Sequence, residues 1–329
     1  MFTEIFLLLF GFVILIKGAD FLVSGASSAA KKYGISNLAI GLTVVAFGTS
    51  MPELIVSLLS AIEGKSDASF GNVIGSNNFN LLFILGFAGL IYPLVVHRNT
   101  VKWEVPMSLL ATAILYVLVN DKLLWGSTDA PEGYEGMLSR LDSLILLVFF
   151  SGFLYYIYRT MKAAPEVEQG EIKIYKTSIA VTMVIFGLVM LIAGGKVVVD
   201  NAINIAHRFG LSEKLIGLTI LAAGTSLPEL ATSTVAAYRK NTDIAIGNVV
   251  GSNIFNIFFI LATTGMVHPI PYNAALNFDL KVLAISTVLL LIFMFTLNTR
   301  KLDRWEAFLL WGAYIVYTVV LINMDAAPV

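Results

Sequence analysis

Apolar residues run along the chain in ten long stretches separated by short polar ones. Each is long enough to cross a hydrocarbon core about 30 Å thick, which takes roughly 20 residues of helix. The pattern predicts helical spans over 4–26, 37–61, 69–92, 103–120, 138–159, 177–200, 212–237, 245–267, 279–298 and 305–323. The connections leave no room for a separate soluble domain of ordinary size. The first stretch has no basic leader and no small-residue cleavage site, and it runs on past Gly18 and Asp20, so it reads as a retained span rather than a signal peptide.

One block of this pattern occurs twice. Gly41 to Pro93 aligns without a gap on Gly217 to Pro269 at a constant offset of 176 residues. Gly48-Thr49-Ser50-Met51-Pro52-Glu53 matches Gly224-Thr225-Ser226-Leu227-Pro228-Glu229. Farther on, the run from Gly71 to Asn80, with Gly75-Ser76-Asn77, matches Gly247 to Asn256, with Gly251-Ser252-Asn253. Similarity extends upstream, where Lys32-Tyr33-Gly34-Ile35-Ser36 matches Arg208-Phe209-Gly210-Leu211-Ser212. The repeat unit is thus a five-helix half. An odd number of spans makes the second copy enter the membrane from the opposite side, the inverted plan of many secondary transporters. The expected fold is an all-α membrane protein of ten transmembrane helices in two inverted five-helix repeats. Its halves are residues 1–160 and 177–329, joined by a cytoplasmic linker over 161–176 that carries Glu166, Glu168 and Glu171.

Composition agrees with a bilayer environment: 57% of the 329 residues are hydrophobic and 13% charged. A net charge of −1 gives no basic excess to attract nucleic acid. The basic residues carry orientation instead. Odd-numbered connections collect Lys31, Lys32, Arg98, Lys102, Arg159, Lys162, Lys173, Lys176, Arg239, Lys240, Arg300, Lys301 and Arg304. The other side holds Lys65, Lys122, Arg140, Arg208, Lys214 and Lys281. By the positive-inside rule the richer side is cytoplasmic, which puts both termini outside a plasma or inner membrane. With no cysteine, disulfides and thiolate metal sites are excluded.

The candidate chemistry lies in the repeated motifs. Gly48 and Pro52 fall inside one apolar stretch, and proline removes a backbone donor, so the helix should break there. Carbonyls freed at membrane depth are tolerated only where protein, water or an ion satisfies them. Thr49, Ser50 and Glu53 add hydroxyl and carboxylate oxygens, and Ser76 and Asn80 sit one helical turn apart on the next span. Thr225, Ser226, Glu229, Ser252 and Asn256 supply the mirror set. These are hard oxygen donors, suited to calcium and sodium and a poor match for zinc or copper. Two ionised glutamates would neutralise one divalent cation, and monovalent ions or protons would replace it when it leaves. Mutually exclusive occupancy of that kind is the physical basis of exchange. Small-residue packing with a kink would explain one such motif. Two gapless copies, each with a glutamate, favour an ion site. Gly71, Gly75, Gly247 and Gly251 serve close helix approach on either reading.

These residues resemble the two alpha-repeats of the cation/calcium exchanger superfamily, which contains the sodium/calcium exchangers, and most of all its compact prokaryotic members. The resemblance covers nearly the whole chain. It implies alternating access and a central cluster of sodium and calcium sites. Carried over by position, the ligands would be the Ala46 carbonyl, Thr49, Ser50, Glu53, Ser76 and Asn80, with the Ala222 carbonyl, Thr225, Ser226, Glu229, Ser252 and Asn256. Several members, potassium-dependent exchangers among them, have an aspartate where this chain has Asn256, which argues against potassium co-transport.

The expected activity is sodium-for-calcium antiport, with proton/divalent-cation antiport as the alternative; two carboxylates suit either. The expected partners are those ions and the lipid bilayer, with no cofactor, nucleic acid or obligate protein partner. A passive channel would also use oxygen-lined sites, but buried carboxylates in inverted halves argue against it. An intramembrane enzyme is disfavoured because neither His-Glu-x-x-His nor Gly-x-Ser-x-Gly occurs. Lys17 and Asp20, three residues apart, are expected to pair near the membrane surface, Lys196 and Asp200 sit similarly with no ion role, and His97, His207 and His268 are expected to be solvated interfacial residues.

Overall fold

A computed structural model describes residues 2–126, 130–161, 173–209, 222–296 and 300–326. Among the described residues, eight single helices are long and apolar enough to span a membrane: α1 (Phe2–Tyr33), α4 (Ser66–Ile91), α5 (Thr100–Val119), α6 (Arg140–Thr160), α7 (Thr177–Arg208), α9 (Thr242–Val267), α10 (Ala274–Phe293) and α11 (Arg304–Met324). A ninth candidate span is the pair α2 (Asn37–Thr49) and α3 (Met51–Ile62), bent by 46° at its break. The stretch expected over 212–237 falls partly on 210–221, outside the described residues; its remainder forms α8 (Leu227–Tyr238). The linker expected over 161–176 likewise lies mostly outside them.

Helix ends follow local chemistry. Ser139 caps α6 with a reciprocal box: its hydroxyl accepts from the Asp142 N–H at 3.2 Å, and Asp142 Oδ2 accepts from the Ser139 N–H at 2.9 Å. Asn241 caps α9 by accepting from Ile244 N–H at 3.2 Å. Helices α1 and α7 run on past their apolar cores to Tyr33 and Arg208. Hydropathy misses those turns because they are polar, yet Lys31 and Lys32, like His207 and Arg208, sit where a helix C-terminus favours positive charge.

Burial sorts the helices into layers. The apolar window of α9 is 94% buried and that of α4 72%, against 28% for α1 and for α7. The repeated segments therefore form the centre, and α1 and α7 lie outside them. These two outer helices pack along glycines. A Cβ on Gly18 would meet Gly187 O at 2.9 Å, and one on Gly194 would meet Gly11 O at 3.1 Å. Partners run in opposite order along the two helices, which are therefore antiparallel. Among the described residues, two small antiparallel sheets tie the connections together: Leu94–Val95 with Lys301–Leu302, and Gly136–Leu138 with Ile270–Tyr272.

Two expectations about surface residues change. Asp20 receives the Arg239 guanidinium rather than Lys17, because Arg239, at the end of α8, reaches α1 and also hydrogen-bonds Ser24. His97 is not simply solvated. Its side chain is 16% exposed, and Nε2 lies 3.3 Å from the Asp243 carboxylate at the start of α9. Lys196 and Asp200 do pair, at 3.1 Å.

Candidate metal centre

Both Gly-Thr-Ser-x-Pro-Glu motifs work by restarting a helix. Pro52 and Pro228 each occupy the first turn of the new helix, where a missing N–H costs nothing within that helix. Neither can donate to the carbonyl four residues back, so Gly48 and Gly224 lose their helical partners. The Ala46 carbonyl, by contrast, still accepts from the Ser50 N–H at 3.0 Å. Ala222 opens a short helical turn ending at Gly224. Glu53 and Glu229 fall in the first turn after the break, where the free N–H groups of a helix start favour an anion.

The breaks aim the serines across the repeat rather than at their own helices. Ser50 Oγ donates to Glu229 Oε1 at 2.9 Å, and Ser226 Oγ donates to Glu53 Oε1 at 2.9 Å. The same two oxygens take a longer bond from their own half, Ser76 to Glu53 and Ser252 to Glu229, both at 3.4 Å. Ala46, Thr49, Ser50, Glu53, Ser76 and Asn80, with Ser226, Glu229, Ser252 and Asn256, are all buried around these bonds, and Thr225 is partly exposed at their edge.

Four oxygens in this cluster stand out. Glu53 Oε2, Glu229 Oε2, Asn80 Oδ1 and Asn256 Oδ1 are buried and have no hydrogen-bond partner among the described residues. All four are acceptors. The amide nitrogens beside them are committed: Asn80 Nδ2 donates to Asn253 Oδ1 at 3.0 Å, and Asn256 Nδ2 donates to Asn77 Oδ1 at 2.9 Å. Buried acceptors without donors are costly, and a buried carboxylate more so. A cation supplies what such oxygens lack. The cluster offers two carboxylates and neutral hydroxyl and amide oxygens, a set of donors suited to hard cations.

Several supporting residues escaped the sequence reading. Asn77 and Asn253 brace Asn256 and Asn80, as above. Asn72 donates to the Glu53 carbonyl at 3.2 Å and to Ser57 at 2.9 Å, while its oxygen accepts from Thr225 at 3.2 Å. Asn248 repeats this with the Glu229 carbonyl at 3.3 Å, Ser233 at 2.9 Å and Thr49 at 3.0 Å. The signal was present, since these asparagines recur at the same offset as the ligand candidates. Gly247 and Gly251 do allow close approach: a Cβ on Gly251 would meet Leu42 Cα at 2.9 Å. The positions equivalent to Leu42 and its neighbours at the repeat offset, which would bear on Gly71 and Gly75, lie outside the described residues. Six-residue π-helical segments at Phe79–Ile84 and Asn256–Leu261 widen α4 and α9 at Asn80 and Asn256; such segments are frequent at functional sites.

Other buried acids belong elsewhere. Glu104 accepts from the Tyr156 hydroxyl at 2.6 Å, and Asp279 accepts from the Tyr317 hydroxyl.

Comparison with known proteins gives a consistent family. The profile of the family described as sodium/calcium exchanger protein matches residues 3–159 and 179–323. CaxA of Alkalimonas amylolytica is 36% identical over 325 residues, covering 96% of this chain and 97% of that protein. The sodium/calcium exchanger MaX1 of Methanosarcina acetivorans is 33% identical over 351 residues, covering 96% and 97%. Among solved structures, the sodium-calcium exchanger NCX_Mj soaked with 2.5 mM Na+ and 0.1 mM Ca2+ superimposes with a TM-score of 0.79 at 30% identity, covering 95% of this chain and 97% of that one.

Proposed function

This chain belongs to the sodium/calcium exchanger protein family, and from that premise we propose that it is a secondary active antiporter exchanging sodium for calcium by alternating access. The observation that carries the reading is the set of four partnerless buried oxygens on Glu53, Glu229, Asn80 and Asn256. Calcium takes six to eight oxygen ligands, and the serine and threonine hydroxyls of both motifs keep lone pairs free after donating. In this reading Glu53 and Glu229 neutralise one calcium ion; Thr49, Ser50, Ser76, Thr225, Ser226 and Ser252, with the Ala46 and Ala222 carbonyls, complete the calcium and sodium sites. Sodium ions replace calcium because two carboxylates cannot stay buried and uncompensated.

The proposed architecture is ten spans in two inverted halves, 1–160 and 177–329, joined by a cytoplasmic linker over 161–176. Antiparallel packing of α1 on α7, which occupy equivalent places in the two halves, supports inversion. So does the exchange of serine bonds between the two glutamates. The uneven distribution of lysine and arginine supports a cell-membrane protein with both termini outside.

The test is radiolabelled calcium uptake into sodium-loaded proteoliposomes diluted into sodium-free, potassium or pH-shifted buffer. Uptake that needs internal sodium and both Glu53 and Glu229 is the expected result. Uptake driven by a pH gradient would replace sodium with protons as the counter-ion, and flux without any gradient would mean a channel.

A further inference from the structure

One symmetry-related pair of charges has opposite polarity in the two halves. Asp20 on α1 is bridged by Arg239 from the end of α8, which also hydrogen-bonds Ser24 one turn along α1. At the repeat offset of 176 residues, Asp20 corresponds to Lys196, Arg239 to Glu63, and Ser24 to Asp200. The counterpart of an acid–base pair is therefore a base–acid pair with the signs reversed. That second pair is not made. Lys196 is held within its own helix by Asp200 at 3.1 Å, and Glu63 is held by Lys65 at 2.7 Å. Beside Lys196 and Asp200 lies a cavity of about 230 Å³ that reaches Pro52, Gly224, Thr225 and Pro228 at the helix breaks.

We propose that Asp20–Arg239 and Lys196–Glu63 are alternating latches, one at each membrane face, and that the described structure has the first closed and the second open. This rests on the antiport reading above. Antiparallel α1 and α7 put Asp20 and Lys196 in opposite halves of the membrane. Each latch joins an outer helix to the end of the broken span whose glutamate lies in the central cluster, so closing one shuts the path from its face. The local partners on the open side suit a temporary arrangement. Lys196 and Asp200 are 76% and 53% exposed and Lys65 and Glu63 66% and 56%, and exposed pairs hold weakly enough to be exchanged. Charged side chains on a spanning helix also need water beside them, and the cavity has room for it.

The chain has no cysteine, so introduced thiols are the sole ones. Asp20→Cys with Arg239→Cys, and Glu63→Cys with Lys196→Cys, are compared in proteoliposomes under opposite sodium and calcium gradients, with cross-linking read on gels. The expected result is that the two pairs cross-link under opposite gradients, that either link stops uptake, and that reduction restores it. In parallel, Glu63→Lys and Lys196→Glu each slow uptake, and the double reversal recovers the rate to within about twofold, as a directly interacting pair requires. The proposal is overturned if Glu63→Cys with Lys196→Cys fails to link under either gradient, if both pairs link together, or if the double reversal is no better than the single changes. A wild type that moves no calcium would sink the exchange reading instead, while the gel-read links still report whether the latches alternate.

Discussion

Asn77 and Asn253 donate their side-chain amides to each other's backbone carbonyls, at 3.2 Å in both directions. This reciprocal bond joins α4 to α9 in the most buried layer and fixes which way both amides point. Asn77→Ala or Asn253→Ala removes one donor from a buried carbonyl and leaves the side-chain amide of Asn256 or Asn80 without its acceptor. Each is expected to lower unfolding stability by about 1–3 kcal/mol and to weaken calcium binding. Thermal unfolding in detergent, with and without calcium, measures both.

Removing a carboxylate should separate stability from binding. Glu53→Gln and Glu229→Gln keep the volume but remove half of the charge that calcium requires. Calcium affinity is expected to fall by about 2–5 kcal/mol. In calcium- and sodium-free buffer the variants should unfold no more readily than wild type, because an uncompensated buried charge is gone. A calcium titration of the melting temperature decides: wild type rises with ligand, as mass action requires, and the variants stay flat.

The crossed serine bonds predict equal effects from two repeat-equivalent positions, Ser50 and Ser226. Ser50→Ala removes a donor to Glu229, and Ser226→Ala removes one from Glu53, both at 2.9 Å. Each should reduce calcium affinity about tenfold, the scale of one hydrogen bond to a charged group. Unequal losses, measured by calorimetry, would contradict equivalent roles for the two halves.

His97 gives a pH dependence at one end of the molecule. The hydrogen bond to the Asp243 carboxylate raises its pKa above the ordinary value of 6.5; burial opposes this, the charges of Asp243 and Glu104 add to it, and Arg300 works against it. A histidine raised by folding contributes stability fully below its unfolded pKa of about 6.5 and loses it as pH rises through the folded value. Wild-type melting temperature should therefore fall on going alkaline from pH 6, and His97→Gln should flatten that segment. At the equivalent place in the other half, Asn273 donates to Asp67 at 3.2 Å. Asparagine does not titrate, so Asn273→Ala should leave the pH profile unchanged.

Glycines between α1 and α7 should tolerate no side chain. A Cβ on Gly187 would meet Gly18 O and Leu22 N, both at 2.7 Å. Gly187→Val is expected to cost about 1–3 kcal/mol through overpacking, read as a lower melting temperature and poorer yield of folded protein.

The chain by itself determined the solvent, the repeat and the donor chemistry. Hydropathy, a gapless offset and the presence of Glu53, Glu229, Asn80 and Asn256 are properties of residues in order, and they need no contact to be visible. What it left open was pairing between elements. An offset says that Ser50 and Ser226 are equivalent, but not that each serves the other half's glutamate. It places Asp20 near Lys17, yet Arg239, more than two hundred residues away in sequence, takes it. Likewise His97 read as an interfacial residue until α9 brought Asp243 beside it. Local pattern fixes which face and which helix a side chain occupies. Only the packing of one half on the other decides which donors and charges fall within hydrogen-bond distance, because that energy depends on the final few ångströms of approach.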